Sequence, residues 1–242
     1  MLGIITARGG SKRVPRKNIK DFLGKPLLAW SIEVGLKSGV FDKFILSTDD
    51  EEIVEVGKKY GIEVPFLRPK KLAQDNSGSF EVIKHAVEWL KENVGYESEW
   101  IVLLEPSSPG RQVFHIQEVK KIINKHQDID LFDSLVGVSE VPSHYSFIKQ
   151  LNMNVAGLAT RVGDREILKN LTHHNQDVPK SFFINSAIYA FKSKNLFDSS
   201  NNLWGNSTYG YIMDGKYALD IDTPDDWLVA EVKMKEILRE NE

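Results

Sequence analysis

Five short apolar runs, each broken off by a polar or glycine-bearing turn, constrain this chain more than any other feature: Leu2 to Ala7, Phe44 to Thr48, Ile62 to Phe66, Trp100 to Leu104 and Leu131 to Val138. Between them lie stretches with apolar residues at helical spacing, Pro26 to Lys37, Glu51 to Tyr60, Ser79 to Glu92 and Ile116 to His126. Each run has the length of a buried strand and each intervening stretch has one apolar face. Strand–helix alternation with short turns predicts an α/β fold: a mostly parallel sheet with helices on both faces. Such sheets bind ligands beyond the carboxyl ends of their strands. Arg8, Asp49, Arg68 and Glu105 each follow a predicted strand, so they should converge on one rim.

From Glu140 the pattern changes. Residues 140–182 are polar, rich in His and Asn, and weakly periodic. Ile184 to Phe191 then reads as a strand, 198–210 as a loop, Tyr217 to Ile221 as a last short strand, and Asp225 to Leu238 as a closing amphipathic helix. With no internal repeat or linker in view, 1–242 reads as a single domain. Residues 140–195 form an excursion from the sheet that could serve as a lid, a substrate wall or a dimer contact.

Composition narrows the function classes. The formal net charge is -3, so no global basic field recruits nucleic acid. There is no cysteine, which excludes thiol nucleophiles and Cys-based metal sites and fits a reducing compartment. No run approaches the roughly twenty apolar residues of a membrane span, and the short apolar start runs straight into cations, the reverse of a secretory leader. A cytoplasmic protein that binds neither nucleic acid nor membrane is the expectation.

The loop after the first run concentrates the chemistry. Ala7 ends the apolar run, and Gly9, Gly10 and Ser11 follow among five cations, Arg8, Lys12, Arg13, Arg16 and Lys17. A core strand feeding a glycine-bearing cationic loop can hold phosphate through close backbone approach and charge-assisted hydrogen bonds. The spacing matches neither the Walker A nor the dinucleotide fingerprint. Near the other end, Asp220-Ile-Asp222 places two carboxylates on one side if it is a strand. That suits a Mg²⁺ ion held by one or two carboxylates plus phosphate oxygens, or equally a strand end before a helix cap at Thr223. Glu105 could be a base, a hydroxyl acceptor or a turn carboxylate. His173-His174, adjacent on an extended segment, face opposite ways and suit a solvated or substrate-facing loop better than a metal site.

Taken together these pieces resemble the acylneuraminate cytidylyltransferases. The resemblance rests on Ala7-Arg-Gly-Gly-Ser-Lys-Arg-Val-Pro-Arg-Lys-Asn18, Ser47-Thr-Asp49, Leu67-Arg-Pro69, Leu72-Ala73, Asp75, Ser79, Leu103-Leu-Glu-Pro-Ser-Ser-Pro-Gly-Arg111, Gln176-Asp-Val-Pro179, Asn185-Ser-Ala-Ile-Tyr189 and Asp220-Ile-Asp222-Thr223, in order along nearly the whole chain. It implies a Rossmann-like nucleotidyltransferase fold, a homodimer with its exchange arm within 140–195, and Mg²⁺-dependent transfer of CMP from CTP to a nonulosonic sugar acid with release of pyrophosphate. By matching position, Arg8, Lys12 and Lys17 would be the catalytic cations, holding the triphosphate with Ser11. Ala7, Gly9, Gly10, Asn18, Arg68 and Ser79 would bind the nucleotide. Glu105, Ser107, Ser108, Gln176, Asn185 and Tyr189 would face the sugar, and Asp220 and Asp222 would hold the metal.

The departures fall on the sugar side. Glu105 stands where many members have Gln, His174-Asn175 where many have Arg-Arg, Ser186 where Gly is usual, and Gly110 where Leu is usual. Losing arginines and gaining a carboxylate points to a sugar other than plain N-acetylneuraminate, carrying an amino group or another acyl pattern toward Glu105. His144, His173, His174 or Lys149 could alternatively replace the missing cations. A cytidylyltransferase for Kdo or amino-Kdo is one rival reading. A nucleotide-sugar-binding protein without turnover is another.

Overall fold

The computed structural model describes residues 1–74, 78–126, 129–162, 179–198 and 202–240. In chain order the strands and α-helices are β1 (Leu2–Thr6), β2 (Asp21–Phe22), β3 (Lys25–Pro26), α1 (Leu27–Ser38), β4 (Lys43–Ser47), α2 (Glu51–Lys59), α3 (Ser79–Val94), β5 (Trp100–Leu104), α4 (Val113–His126), β6 (Ser134–Glu140), β7 (Leu151–Met153), β8 (Ala159–Arg161), β9 (Phe182–Lys192), β10 (Thr208–Ile212) and α5 (Pro224–Glu240).

Six strands form the central sheet in the order β10-β6-β9-β5-β1-β4. β1 runs parallel to both β4 and β5, and β10 parallel to β6, while β9 lies antiparallel between β5 and β6. The expected α/β architecture is therefore the one observed, with one reversed strand in the middle. The apolar runs read as continuous because the strands are buried on both faces. Along β5, Trp100, Val102 and Leu104 pack with Leu28 and Ile32 of α1 and Ile116 and Val119 of α4, whereas Ile101 and Leu103 pack with Ile83, Ala86 and Leu90 of α3. A third cluster lies outside this sandwich, where Trp227, Ala230 and Met234 of α5 meet Leu27 and Trp30 of α1 and Phe22 of the β2–β3 hairpin.

Several local expectations change. Residues 62–66 form no strand of the sheet: the segment meets β4 and its end through isolated parallel bridges, Ile45 to Glu63 and, one residue further on, Thr48 to Leu67. Tyr217 to Ile221 is not a strand: Gly215–Tyr217 is a 3-10 turn, and the chain continues across the sheet rim without strand pairing. Part of the presumed loop 198–210 belongs to β10. Of residues 140–195, Leu151–Met153 and Ala159–Arg161 form a separate hairpin, while Phe182–Lys192 runs through the sheet instead of leaving it.

The β6–β9 pairing slips between Val136 and Val138. Within this bulge Ser186 sits at φ 60. Opposite it, a side chain on Gly137 would come within 2.7 Å of Asn185 Oδ1, so glycine is what lets the Asn185 amide fold inward.

Candidate active site

The chain leaves β1 toward β4 on one side and later returns to place β5 on the other, so β1 and β5 flank a switch point where a crevice opens at the carboxyl ends. A cavity of about 560 Å³ lies there. The loop after β1 lines it with Arg8, Ser11, Lys12, Arg13 and Lys17; Arg68 and Gln74 line it beyond β4; Ser79 and Val82 of α3 close one side; Glu105, Pro106 and Ser107 form the wall after β5; and Asp222 reaches in from the C-terminal segment.

The cationic loop is held by its own polar groups. Asn18 is buried, and its Nδ2 donates to the Arg8 carbonyl at 3.0 Å, closing the loop across its base. Arg16, at φ 56, pairs with Asp50 at 2.5 and 3.0 Å and with Glu52 at 3.2 Å. Asp50 in turn caps α2 by accepting from the Ile53 N–H at 3.1 Å. Arg16 thus serves the scaffold, while Arg8, Lys12, Arg13 and Lys17 face the cavity.

The two glycines also divide their roles. The Gly9 N–H donates to Asp49 Oδ1 at 3.2 Å, so it is engaged by the protein rather than presented to an anion. A Cβ on Gly9 would collide with the Asp50 carboxylate, whereas one on Gly10 would meet nothing within 4 Å. Ala7 is buried, and its N–H donates to the Ser47 carbonyl, making it a strand-end residue beneath the site.

Arg68 is 4% exposed and donates to Asp49 Oδ1 at 3.4 Å, the oxygen that also receives Gly9. Its Nε has no hydrogen-bond partner among the described residues. Burial lowers the Arg68 pKa, Asp49 opposes that shift, and the nearby Arg8 adds to it. A buried arginine with an unmatched donor beside further cations is a site for an anion or a hydrogen-bonding base.

The opposite wall rests on Arg111. This guanidinium is 1% exposed and donates to Ser31 Oγ at 2.6 Å, to the Ala187 carbonyl and, at 3.3–3.4 Å, to the Glu105 carbonyl. It thereby ties the loop after β5 to α1 and β9. Arg111 is a structural residue of the site not among the candidates above. Its signal was an arginine ending a rigid Pro-Gly turn directly after an apolar strand.

Ser107 lines the cavity, and its carbonyl accepts from the Ile221 N–H at 3.0 Å. Ser108 is buried and donates to the Ser186 carbonyl at 3.2 Å. Burial, then the negative charge of Asp220, pushes the Glu105 carboxyl up from 4.5 to about 7 against the opposing Arg111 and Lys17.

Asn185 is turned inward. It is 2% exposed, donates to Ser139 Oγ at 3.0 Å and accepts from the Ala187 N–H at 3.1 Å, so its amide organises the bulge. Tyr189 is half-buried beside Trp204, with ring centroids 5.9 Å apart. Burial raises its pKa, the Ser186 hydroxyl opposes that shift, and the charges of Glu105 and Asp220 add to it. Gln176, with His173, His174 and Asp75, lies outside the described residues.

Asp220 and Asp222 are exposed on either side of buried Ile221. They do not share the face of a strand, yet both raise the Glu105 pKa, so they act on one region. Lys17 binds this segment through the Ile221 carbonyl at 2.5 Å and Asp222 Oδ1 at 3.1 Å. Among the described residues no group of three or more His, Asp or Glu side chains stands ready to hold a metal. The donor set is carboxylate oxygen at the edge of a cationic cavity. It fits an ion such as Mg²⁺, which takes one or two carboxylates and completes its shell with phosphate oxygens and water.

A switch-point cavity lined by cations on one wall and carboxylates on the other, in this sheet, defines an α/β protein of the nucleotidyltransferase type. The cytidylyltransferase family model matches residues 2–197, and the chain belongs to that family. It is 34% identical over 235 residues to a pseudaminic acid cytidylyltransferase of Campylobacter jejuni, covering 97% of this chain and 96% of the relative. It is 32% identical to an N-acylneuraminate cytidylyltransferase of Escherichia coli, covering 95% of this chain and 51% of that longer protein. Among solved structures, CMP:2-keto-3-deoxy-manno-octonic acid synthetase complexed with CTP superposes with a TM-score of 0.67 at 15% identity, covering 97% of this chain and 98% of the other.

Proposed function

We propose that this protein transfers CMP from CTP to a nonulosonic sugar acid, giving the CMP-sugar and pyrophosphate. One observation carries the reading: the cations of the loop after β1 and the carboxylate wall of Glu105 and Asp222 line the same cavity. The sugar's anomeric oxygen attacks the α-phosphorus, the bond to the pyrophosphate oxygen breaks in line, and the hydroxyl proton passes to solvent. The protein's part is positioning and charge stabilisation.

In this reading Arg8, Lys12 and Ser11 hold the phosphates. Asn18, Arg68 and Ser79 surround the nucleoside, and Glu105, Ser107 and Tyr189 lie toward the sugar. Lys17 exchanges its contact with Asp222 for a phosphate oxygen. Asp222 and Asp220 would hold Mg²⁺, which would neutralise charge on the triphosphate. The relatives named for pseudaminic and N-acylneuraminic acids support the acceptor class.

The same reading includes a homodimer in the cytoplasm, where CTP is available. Its support is the exposure of large apolar side chains, Phe182, Phe183 and Ile184 of β9 and Leu151, Met153 and Leu158 in and between β7 and β8. No helix among the described residues is long and apolar enough to cross a membrane.

The test is pyrophosphate release with CTP and Mg²⁺ against N-acetylneuraminate, legionaminate, pseudaminate, Kdo and 8-amino-Kdo. Release with at least one nonulosonic acid, abolished by EDTA and restored by Mg²⁺, is the expected result. CTP binding without release on any acid would favour a non-catalytic binding protein, and release with the Kdo acids alone would move the acceptor class.

A further inference from the structure

The backbone at Ser186 is left-handed, with φ 60. Such a conformation suits glycine and strains a residue with a Cβ. Strain of this kind persists where the surroundings impose it, and here they do. Ser108 Oγ holds the Ser186 carbonyl at 3.2 Å, Arg111 holds the carbonyl of Ala187, and the Asn185 side chain caps the Ala187 N–H. These contacts fix the backbone but give no reason for a side chain.

Ser186 lies beside the cavity wall, its carbonyl held by the neighbour of cavity-lining Ser107. Leu104 of β5 pairs with Ile188 of β9, so continuing the antiparallel register sets Ser186 across from Pro106, a cavity-lining residue. Ser186 is partly exposed. Its Oγ accepts from the Tyr189 hydroxyl at 3.4 Å, a long contact that leaves the serine hydroxyl loosely held. Tyr189 in turn feels the charges of Glu105 and Asp220.

We propose that Ser186 is a specificity-determining residue whose hydroxyl, paired with Tyr189, donates to an acceptor oxygen of the sugar acid, either a hydroxyl or an acylamino carbonyl. The proposal rests on the sugar-acid transfer reading above. The bulge delivers a donor to a place where an unstrained backbone would carry no side chain.

Two variants separate the hydroxyl from the strain. Ser186→Gly removes both, and Ser186→Ala removes the hydroxyl while keeping the strained backbone. Expected for Ser186→Gly are a rise in Tm of about 2–4 °C and an increase of about fivefold to tenfold in KM for the sugar acid, with KM for CTP unchanged. Ser186→Ala should show the same KM increase without the gain in Tm. Comparing acids that carry acetamido or hydroxyl at one carbon identifies the oxygen: the variants equalise the two KM values if the acylamino carbonyl is the partner, and keep their ratio if a common hydroxyl is. An unchanged sugar KM in Ser186→Gly, in an enzyme whose wild type is active, overturns this inference alone. A wild-type protein inactive on every sugar acid overturns the proposed function and this inference with it.

Discussion

Replacing Glu105 by Gln tests the electrostatics of the carboxylate wall directly. In the folded protein burial, and next the charge of Asp220, raise this carboxyl from 4.5 to about 7. Below pH 4.5 the folded and unfolded chains both carry the proton, and Glu105 makes stability no more pH-dependent. Between 4.5 and 7 the unfolded chain loses the proton while the folded one keeps it, so stability falls as pH rises. Above 7 both are ionised and the full penalty stands. The shift corresponds to about 3 kcal/mol. Gln keeps the shape and cannot ionise. Urea unfolding of nucleotide-free protein should therefore show Glu105→Gln about 3 kcal/mol more stable than wild type at pH 8, with the gap nearly closed at pH 5. A difference that is the same at both pH values, or a variant less stable at pH 8, would refute the reasoning.

Three further perturbations follow from the packing. A side chain on Gly110 would stand 2.6 Å from the Tyr217 carbonyl and 3.0 Å from Leu219, so Gly110→Leu should displace the segment carrying Asp222, cost about 1–3 kcal/mol and lower pyrophosphate release at least tenfold; thermal melts and initial rates check both. Gly9→Ala drives a methyl group into the Asp50 carboxylate that holds Arg16 and caps α2, and steady-state kinetics should show a raised KM for CTP with the sugar KM little changed. His115 is buried, and burial, reinforced by Arg111, lowers its pKa from 6.5 to about 4. Because the unfolded imidazole takes up a proton first, stability is full above pH 6.5 and is lost as pH falls toward 4. Unfolding of His115→Phe should show an acid loss smaller by about 2 kcal/mol between pH 7 and pH 5.

What the sequence disclosed and what it hid divide along sequence distance. β1, β4 and β5 were legible because each is a run of apolar residues buried on both faces, and the residues just after them had to gather at one rim. Arg8, Lys12, Lys17, Arg68, Glu105 and Ser107 do line one cavity. Hidden were matters decided by partners far along the chain. The Gly9 N–H is taken by Asp49. Asn185, which looked like a ligand-facing amide, is drawn into a bulge by Ser139 and Ala187. Tyr217 to Ile221 has a strand-like pattern, yet Leu219 and Ile221 are buried against the cluster around α5 and the β2–β3 hairpin. Alternating burial there reports packing, not a ladder.

The place of β9 has a consequence for how the molecule assembles. β4, β1 and β5 can pair as soon as the first part of the chain is available, but β6 pairs only with β9 and β10, which both follow it. Until β9 docks, β5 and β6 each present an open edge, and closing the sheet waits on contacts of long sequence separation. Refolding should therefore pass through a half-sheet species prone to edge-to-edge association, with a yield that drops as protein concentration rises. The strand that carries Ser186 and Tyr189 is also the one whose arrival joins the two halves of the sheet.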